Sequence, residues 1–355
     1  MPKKYRRVQT SKIALFLGAG ASKAFGYPTT LDFVSNLEKV LGILEKDFFH
    51  KILTLPNVSD IEHVLQKLDL LTDVGSDGYV KKMLKEEITP SESQKFLSPF
   101  DTFFNSCETL RQTIINELYR QYEFDTNRIE KIIDYYNELC TILNKISNEP
   151  ELHVFTTNYD SVFENYCDNT NRQIEFTCGF RIDKRNRRQF WHSEWLKNWK
   201  FDPDRNEGIR LYKLHGSLDW REMADGRIER VLTEDKVPSR SRTYKRNTLI
   251  YPAQKNYATE EPFRRLQRYF EVVLSQHDLC LVIGFSFRDL LINNAFLDFL
   301  RGNDKRRLVV VSPNAMKNVE ENLGAEEKQL KEQIRYVVGL FGEKATFQFI
   351  EEALK

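Results

Sequence analysis

The sequence predicts an α/β protein in which a parallel sheet carries helices on both faces and is interrupted by a helical insertion module. Three observations lead there. Five short segments, Ile13–Leu17, Leu152–Thr156, Arg210–Leu214, Asp278–Ile283 and Arg307–Val311, are largely apolar, as strands covered on both sides must be. Each runs into small or polar residues: GAG, TNYD, HGSLDW, GFSFRD and SPN. Between the first two segments lies a long stretch whose apolar residues recur at three- and four-residue spacing.

The first stretch, KIALFLGAGASKAFGYP, organises the rest. An unbroken apolar run ends in Gly18 and Gly20 and opens a helix, so backbone N–H groups and a helix dipole are both available to an anionic ligand. Ser22 either caps that helix or donates to phosphate. No Gly-Lys-Ser/Thr follows, which excludes a P-loop, and no acidic strand end appears about 20 residues on, which argues against a hydride-transfer enzyme.

The periodic stretch predicts helices over LDFVSNLEKVLGILEKDFFHKIL, SDIEHVLQKLDLLTDV, SPFDTFFNSCETLRQTIINELYRQYEF and IEKIIDYYNELCTILNKISN, with Ser59 and Asp60 marking one helix start. We therefore expect one domain over residues 1–355, with a core of 1–35 and 150–355 and an insertion of 36–149. In an open parallel sheet a ligand lies beyond the carboxyl ends of the strands, so the five strand tails are expected to converge on one crevice.

Composition narrows the function. Lys plus Arg (53) and Asp plus Glu (52) nearly balance, so no global field draws the chain to nucleic acid or membrane. The basic stretches Arg181–Arg188 and Ser239–Arg246 read as solvated loops or as an electropositive docking surface for a partner or nucleic acid, with Arg185, Arg187 and Arg188 the candidate contacts. The five cysteines form no C-x-x-C pair and the six histidines no short-spaced cluster, so no metal site and no zinc are expected. The basic N-terminus precedes an apolar run too short to span a membrane, and the chain is expected to be cytoplasmic.

Taken in order, GAGAS with GYP, FTTNYD, KLHGS and GFS resemble the sirtuin superfamily, in particular its bacterial sirtuin-like branch of anti-phage defence proteins. The resemblance implies a Rossmann-like core and NAD as substrate. It implies that Gly18, Ala19, Gly20 and Ser22 cradle the pyrophosphate, with Pro28 and Thr157, the latter where the family has glutamine, also among the cofactor-binding residues. Asn158 would orient the ribose and a water, Asp160 would bond the nicotinamide amide, and His215 would be the base at the ribose hydroxyls. Gly284 and Ser286 would lie on the adenosine side, with Ser312 or Asn314 at the adenine ribose. Simpler roles exist for three of these: His215 closing a strand end, Asn158 satisfying backbone groups, and Asp160 capping a helix.

Departures from the family pattern narrow the reaction. Residues 216 to 277 hold no cysteine, so the zinc module of the protein-deacylating members is absent, and GYPTTLDF lacks their arginine. The expectation is an NAD hydrolase that releases nicotinamide and ADP-ribose as a gated effector of bacterial defence by NAD depletion. The competing readings are an NAD-dependent deacylase or ADP-ribosyltransferase, and a non-catalytic NAD- or ADP-ribose-binding subunit. The resemblance also implies a homo-oligomer and a HerA-type ATPase or other phage-sensing partner.

Overall fold

The computed structural model describes residues 11–55, 58, 61–76, 90–147, 149–184, 188–200, 202, 207–231, 244–249, 261–324 and 328–355. They divide into two compact units, residues 28–123 and the chain on either side of them. The insertion expected over 36–149 is thus bounded differently, and the helix over 129–146 belongs to the sheet unit.

The sheet unit opens with β1 (Ile13–Leu17) and a single turn, α1 (Ala19–Lys23). The other unit holds α2 (Thr30–Val40), α3 (Ile43–Leu53), α4 (Ile61–Ser76) and α5 (Pro90–Tyr122). The sheet unit resumes with α6 (Ile129–Ile146), β2 (Glu151–Thr156), α7 (Val162–Asn169), β3 (Ile174–Thr177), β4 (Phe180–Ile182), β5 (Gln189–Trp191) and α8 (Ser193–Asn198). Next come β6 (Glu207–Lys213), β7 (Gly216–Met223), β8 (Ile228–Arg230), β9 (Tyr244–Leu249) and α9 (Phe263–Leu274). The chain ends through β10 (Leu279–Ile283), α10 (Leu290–Arg301), β11 (Arg307–Val311), α11 (Ala315–Asn322), α12 (Lys328–Glu332), β12 (Ile334–Val337) and α13 (Lys344–Leu354).

Seven strands form one parallel sheet in the order β12-β11-β10-β1-β2-β6-β3. β1 lies at its centre, and all five of its residues are at most 3% exposed, which is why IALFL has no polar alternation. Phe16, Phe155 and Tyr212 stand side by side in the pairing register, and Phe270 of α9 meets Phe16 and Phe155 at 5.6 and 4.9 Å while Phe296 of α10 meets Phe16 at 5.1 Å. A second aromatic cluster joins α6 to its neighbours: Tyr136 packs on Phe163 and Tyr166 of α7, and Tyr135 on Phe347 of α13, which also contacts β11 and β12. Helices therefore cover both faces of a Rossmann-like sheet. Each fully buried phenylalanine contributes about 1.5–3 kcal/mol.

A second sheet, antiparallel and ordered β4-β5-β8-β7-β9, occupies residues that read as loops in the sequence. Arg181 and Ile182 lie in β4, and Arg188 closes the hairpin to β5 with its guanidinium on the Glu229 carboxylate. The stretch expected as a solvated loop thus places Arg181 and Ile182, both exposed, in a strand, and Arg188 in an ion pair. Arg185, Arg187 and residues 239–243 lie outside the described residues. Trp220, 1% exposed, anchors this sheet against Phe180 at 4.9 Å and Phe263 at 6.4 Å.

In the helical unit, Thr29 caps α2 reciprocally: its Oγ1 accepts from the Asp32 N–H at 3.3 Å, and its own N–H donates to Asp32 at 3.0 Å. The pattern expected as one helix from Leu31 breaks at Gly42, whose N–H donates to Glu45 at 3.0 Å to start α3. The start expected at Ser59 and Asp60 lies outside the described residues. Between α4 and α5, Val64, Leu65, Leu68, Leu110 and Ile114 are buried, and Arg111 pairs with Asp69. No helix among the described residues is long and apolar enough to cross a membrane.

Near the amino ends of the strands, His153 Nδ1 and the Tyr212 hydroxyl are 3.0 Å apart and the His277 ring lies 5.2 Å from the His153 ring. Burial, then the charges of His277, Arg210 and Lys12, lowers His153 from 6.5 to about 3, and burial lowers His277 too. Arg210 pairs with Glu151, the carboxylate 3.6 Å from His153, and so removes its pull. A folded value below the unfolded one gives stability that is complete above pH 6.5 and lost as pH falls toward 3. The share from His153 alone is about 2 kcal/mol at pH 5. Urea denaturation at pH 7 and pH 5 is expected to show at least that loss in the wild type and a shallower one in His153→Gln; equal losses would remove His153 as the cause.

Candidate active site

Strand register brings the candidate residues to one edge. Val337, Val311, Ile283, Leu17, Thr156 and Lys213 are successive partners across β12, β11, β10, β1, β2 and β6, so the residues following each of them emerge side by side. Gly18, Thr157, His215, Gly284 and Ser312 all lie within two residues of that row. From β11 to β6 is four strand spacings, about 19 Å.

At the centre, two glycine turns interlock. The Gly18 N–H donates to the Ile283 carbonyl and the Gly20 N–H to the Gly284 carbonyl, each at 2.9 Å, while the Gly284 N–H donates to Val311 at 2.9 Å. A Cβ at Gly20 would stand 2.7 Å from the Gly284 Cα, and one at Gly284, whose φ is +67°, would stand 2.3 Å from the Ala21 nitrogen. These glycines serve strand-to-strand approach, and the Gly18 and Gly20 N–H groups are engaged with carbonyls. The single turn α1 is too short for a dipole of consequence. Ala19 is half-buried at its start.

Ser22 lies inside α1, whose N-cap is Gly18, so it is not the cap. It is buried, its oxygen accepts from Asn158 Nδ2 at 3.1 Å, and its hydroxyl bonds the Asp160 carboxylate. Asn158 Nδ2 also donates to the Gly18 carbonyl at 3.0 Å. Thr156, which the sequence reading passed over, fixes this arrangement: its hydroxyl donates to the Leu17 carbonyl at 2.9 Å and accepts from the Asn158 N–H at 3.0 Å. The Asn158 Oδ1, buried, has no hydrogen-bond partner among the described residues. An oriented amide with one unsatisfied buried oxygen suits a ligand hydroxyl or a water.

Asp160 accepts from the Val162 N–H at 3.0 Å and so starts α7. Burial raises its pKa against the opposing pull of Lys213, the Val162 N–H and Ser22. Lys213, 1% exposed, donates to the Asp160 carbonyl and to Glu164 at 2.8 Å.

His215 is 3% exposed, and its Nε2 lies 2.8 Å from Asp289 Oδ2. The Tyr159 ring lies 6.5 Å from the imidazole. Asp289 is the second residue missed from the sequence. Its visible signal is an acidic residue directly before the apolar helix LLINNAFLDFL, the N-cap pattern.

The remaining candidates are less engaged. Thr157 is half-buried and donates its N–H to Leu17 at 3.3 Å. Ser286 is exposed. Ser312 is buried and its Oγ accepts from the Asn314 N–H at 3.2 Å, whereas Asn314 is exposed at the start of α11. Pro28 is the first residue of the helical unit. All five cysteines are buried and unbridged, and no three His, Cys, Asp or Glu among the described residues are grouped to hold a metal ion.

Two predictions follow from this geometry. Gly284→Ala is expected to destabilise by well over the 1–2 kcal/mol of a left-handed alanine alone. Gly226→Ala, at φ +80° with no atom of the described residues within 4 Å of its Cβ, supplies the comparison, and equal urea-denaturation losses would refute the interlock. Elemental analysis of the purified chain is expected to find no stoichiometric zinc, and one zinc per chain would overturn that.

Residues 152–335, more than half of the chain, match the SIR2-like domain family. No curated protein matches. Similar solved structures include a Sir2 homologue in complex with NAD, at 12% identity over 98% of this chain and 92% of that one, with a TM-score of 0.44. Another is a Sir2 homologue mutant in complex with ADP-ribose, at 12% identity over 98% of this chain and 94% of the other, also at 0.44. Likeness at this level transfers neither reaction nor ligand. The match over 152–335, which takes in Asn158, His215 and the Gly284 turn, is of another kind, and by it the chain belongs to the SIR2-like domain family.

Proposed function

We propose that the chain is an NAD-dependent enzyme, and specifically an NAD glycohydrolase that releases nicotinamide and ADP-ribose. The observation that carries the reading is Asn158: its Nδ2 is pinned by the Gly18 carbonyl and Ser22 while its buried Oδ1 remains unsatisfied, beside a strand edge that also bears His215. Family membership supplies the substrate class.

The chemistry asks little of the protein beyond placement. Cleavage sends the glycosidic bond pair to the pyridine nitrogen, which leaves as neutral nicotinamide, and a water oxygen bonds to the ribose carbon. The surplus proton passes by way of the ribose hydroxyls to His215. Asn158 Oδ1 accepts from the ribose or the attacking water, which is positioning, and His215 is the base. Ser22, Ala19 and the Gly18–Gly20 turn lie beside the pyrophosphate, with Gly284, Ser286, Ser312 and Asn314 toward the adenosine. Asp160 faces the nicotinamide amide in the family pattern, and here it also aligns Ser22.

On this reading the chain is a gated effector of bacterial anti-phage defence that acts by NAD depletion. Loss of cellular NAD harms the host, so activity depends on a homo-oligomer or on a partner such as a HerA-type ATPase or another phage-sensing protein.

Purified chain mixed with NAD and no peptide is expected to release nicotinamide continuously. Asn158→Ala and His215→Ala are each expected to lower the rate by about 10²-fold or more, with a lowered thermal melt for His215→Ala, which leaves the buried Asp289 carboxylate without its imidazole. Wild-type rates in both variants would sink the assignment. Release only when an acylated peptide is present would favour deacylation.

A further inference from the structure

The loop from β10 to α10 does more than close the glycine turn. Two of its residues adopt left-handed backbone, Gly284 at φ +67° and Phe287 at φ +59°. For a phenylalanine that is strained, and such residues persist only where the surroundings over-determine them. Here they do. The Phe287 ring is fully buried, 5.1 Å from Phe285 and 5.8 Å from Phe296, and its carbonyl accepts from Asn293 Nδ2 at 2.7 Å. Two residues later the same loop presents Asp289 to His215.

We propose that Asp289 is a positioning residue for the reaction: its carboxylate fixes His215 as the tautomer protonated on Nε2, which makes Nδ1 the nitrogen that accepts the substrate proton. This inference rests on the NAD-cleavage reading for its functional half only. The two Asp289 oxygens have separate tasks, since Oδ1 accepts from the Leu291 and Ile292 N–H groups at 2.9 and 3.2 Å while Oδ2 faces His215 Nε2 at 2.8 Å. Burial would raise the Asp289 pKa, yet the bond to His215, its charge and the two backbone N–H groups together lower it, so the carboxylate stays ionised. An ionised carboxylate has no proton to donate, and a 2.8 Å contact therefore requires the proton on Nε2. The side chains are 3% and 4% exposed, so water does not compete for the contact. When Nδ1 takes a proton, the imidazolium shares its Nε2–H with Asp289, and the new positive charge is balanced where it forms.

Asp289→Asn tests this without removing the cap, because asparagine is an equally good N-cap and retains Oδ1 for Leu291 and Ile292. Its amide N–H would then face Nε2 and force the proton to Nδ1. Histidine nitrogen NMR shifts of the labelled protein are expected to show Nε2–H in the wild type and Nδ1–H in Asp289→Asn. Nicotinamide release is expected to fall by about 10²–10⁴-fold in kcat, with KM for NAD little changed and a near-normal thermal melt. An unchanged tautomer with near-wild-type kcat in Asp289→Asn overturns the proposal and leaves the NAD reading standing. A wild type that cleaves no NAD removes that reading, and the NMR assignment still decides the pair: Nδ1–H in the wild type refutes it. Should Asp289→Asn fail to fold, the wild-type spectrum makes the same decision.

Discussion

The close approach of the Gly284 turn to the Gly18–Gly20 turn is the constraint on which both halves of the site depend. Three backbone hydrogen bonds tie β11 to the β10 turn and that turn to the one after β1. Neither side has room for a Cβ. From the first turn hang Ser22 and the Gly18 carbonyl, which hold Asn158; from the second hangs the strained loop that delivers Asp289 to His215. One steric fact thus sets the positions of the amide and of the imidazole, although they reside on different strands.

Beneath these side chains the protein places charge where water does not reach. Lys213 and Glu164 form a fully buried pair, and Asp160 lies between that pair and Ser22. Removing one partner of such a pair costs about 3–5 kcal/mol, whereas an apolar replacement of both is often neutral, so these residues specify an arrangement more than they add stability. The Asn158 oxygen, without a partner among the described residues, likewise adds no stability: an unpaired buried acceptor costs about 1–3 kcal/mol.

Much of this was legible in the sequence, for a physical reason. β1 and β11 lie where their apolar runs end, and β2, β6 and β10 within three residues of the expected bounds, because strands covered on both faces are largely apolar and their polar residues fall mostly toward their ends. The edge strands IEFT and IRYV were not readable, since each is short and only partly buried. The antiparallel sheet was missed because Arg221, Glu222 and Glu229 are buried charges and its strands include segments of three residues. At the site, motif order identified the strand ends. It did not reveal Thr156 or Asp289, whose roles exist only through contacts 139 and 74 residues distant in the chain.

The position of β1 has a consequence for how the molecule comes into being. Its partner β10 follows it by 266 residues, the separation of the Lys12–Asp278 bond. At ribosomal speeds of about 5–20 residues per second, IALFL therefore waits for roughly 13 to 50 seconds without this one of its two neighbours. Helices such as α2 and α3 close on local contacts during that interval, while the central strand stays an exposed apolar edge of the kind chaperones bind. The glycine interlock and the Asp289–His215 contact both require the last third of the chain, so no nascent fragment that stops short of β10 carries an assembled site.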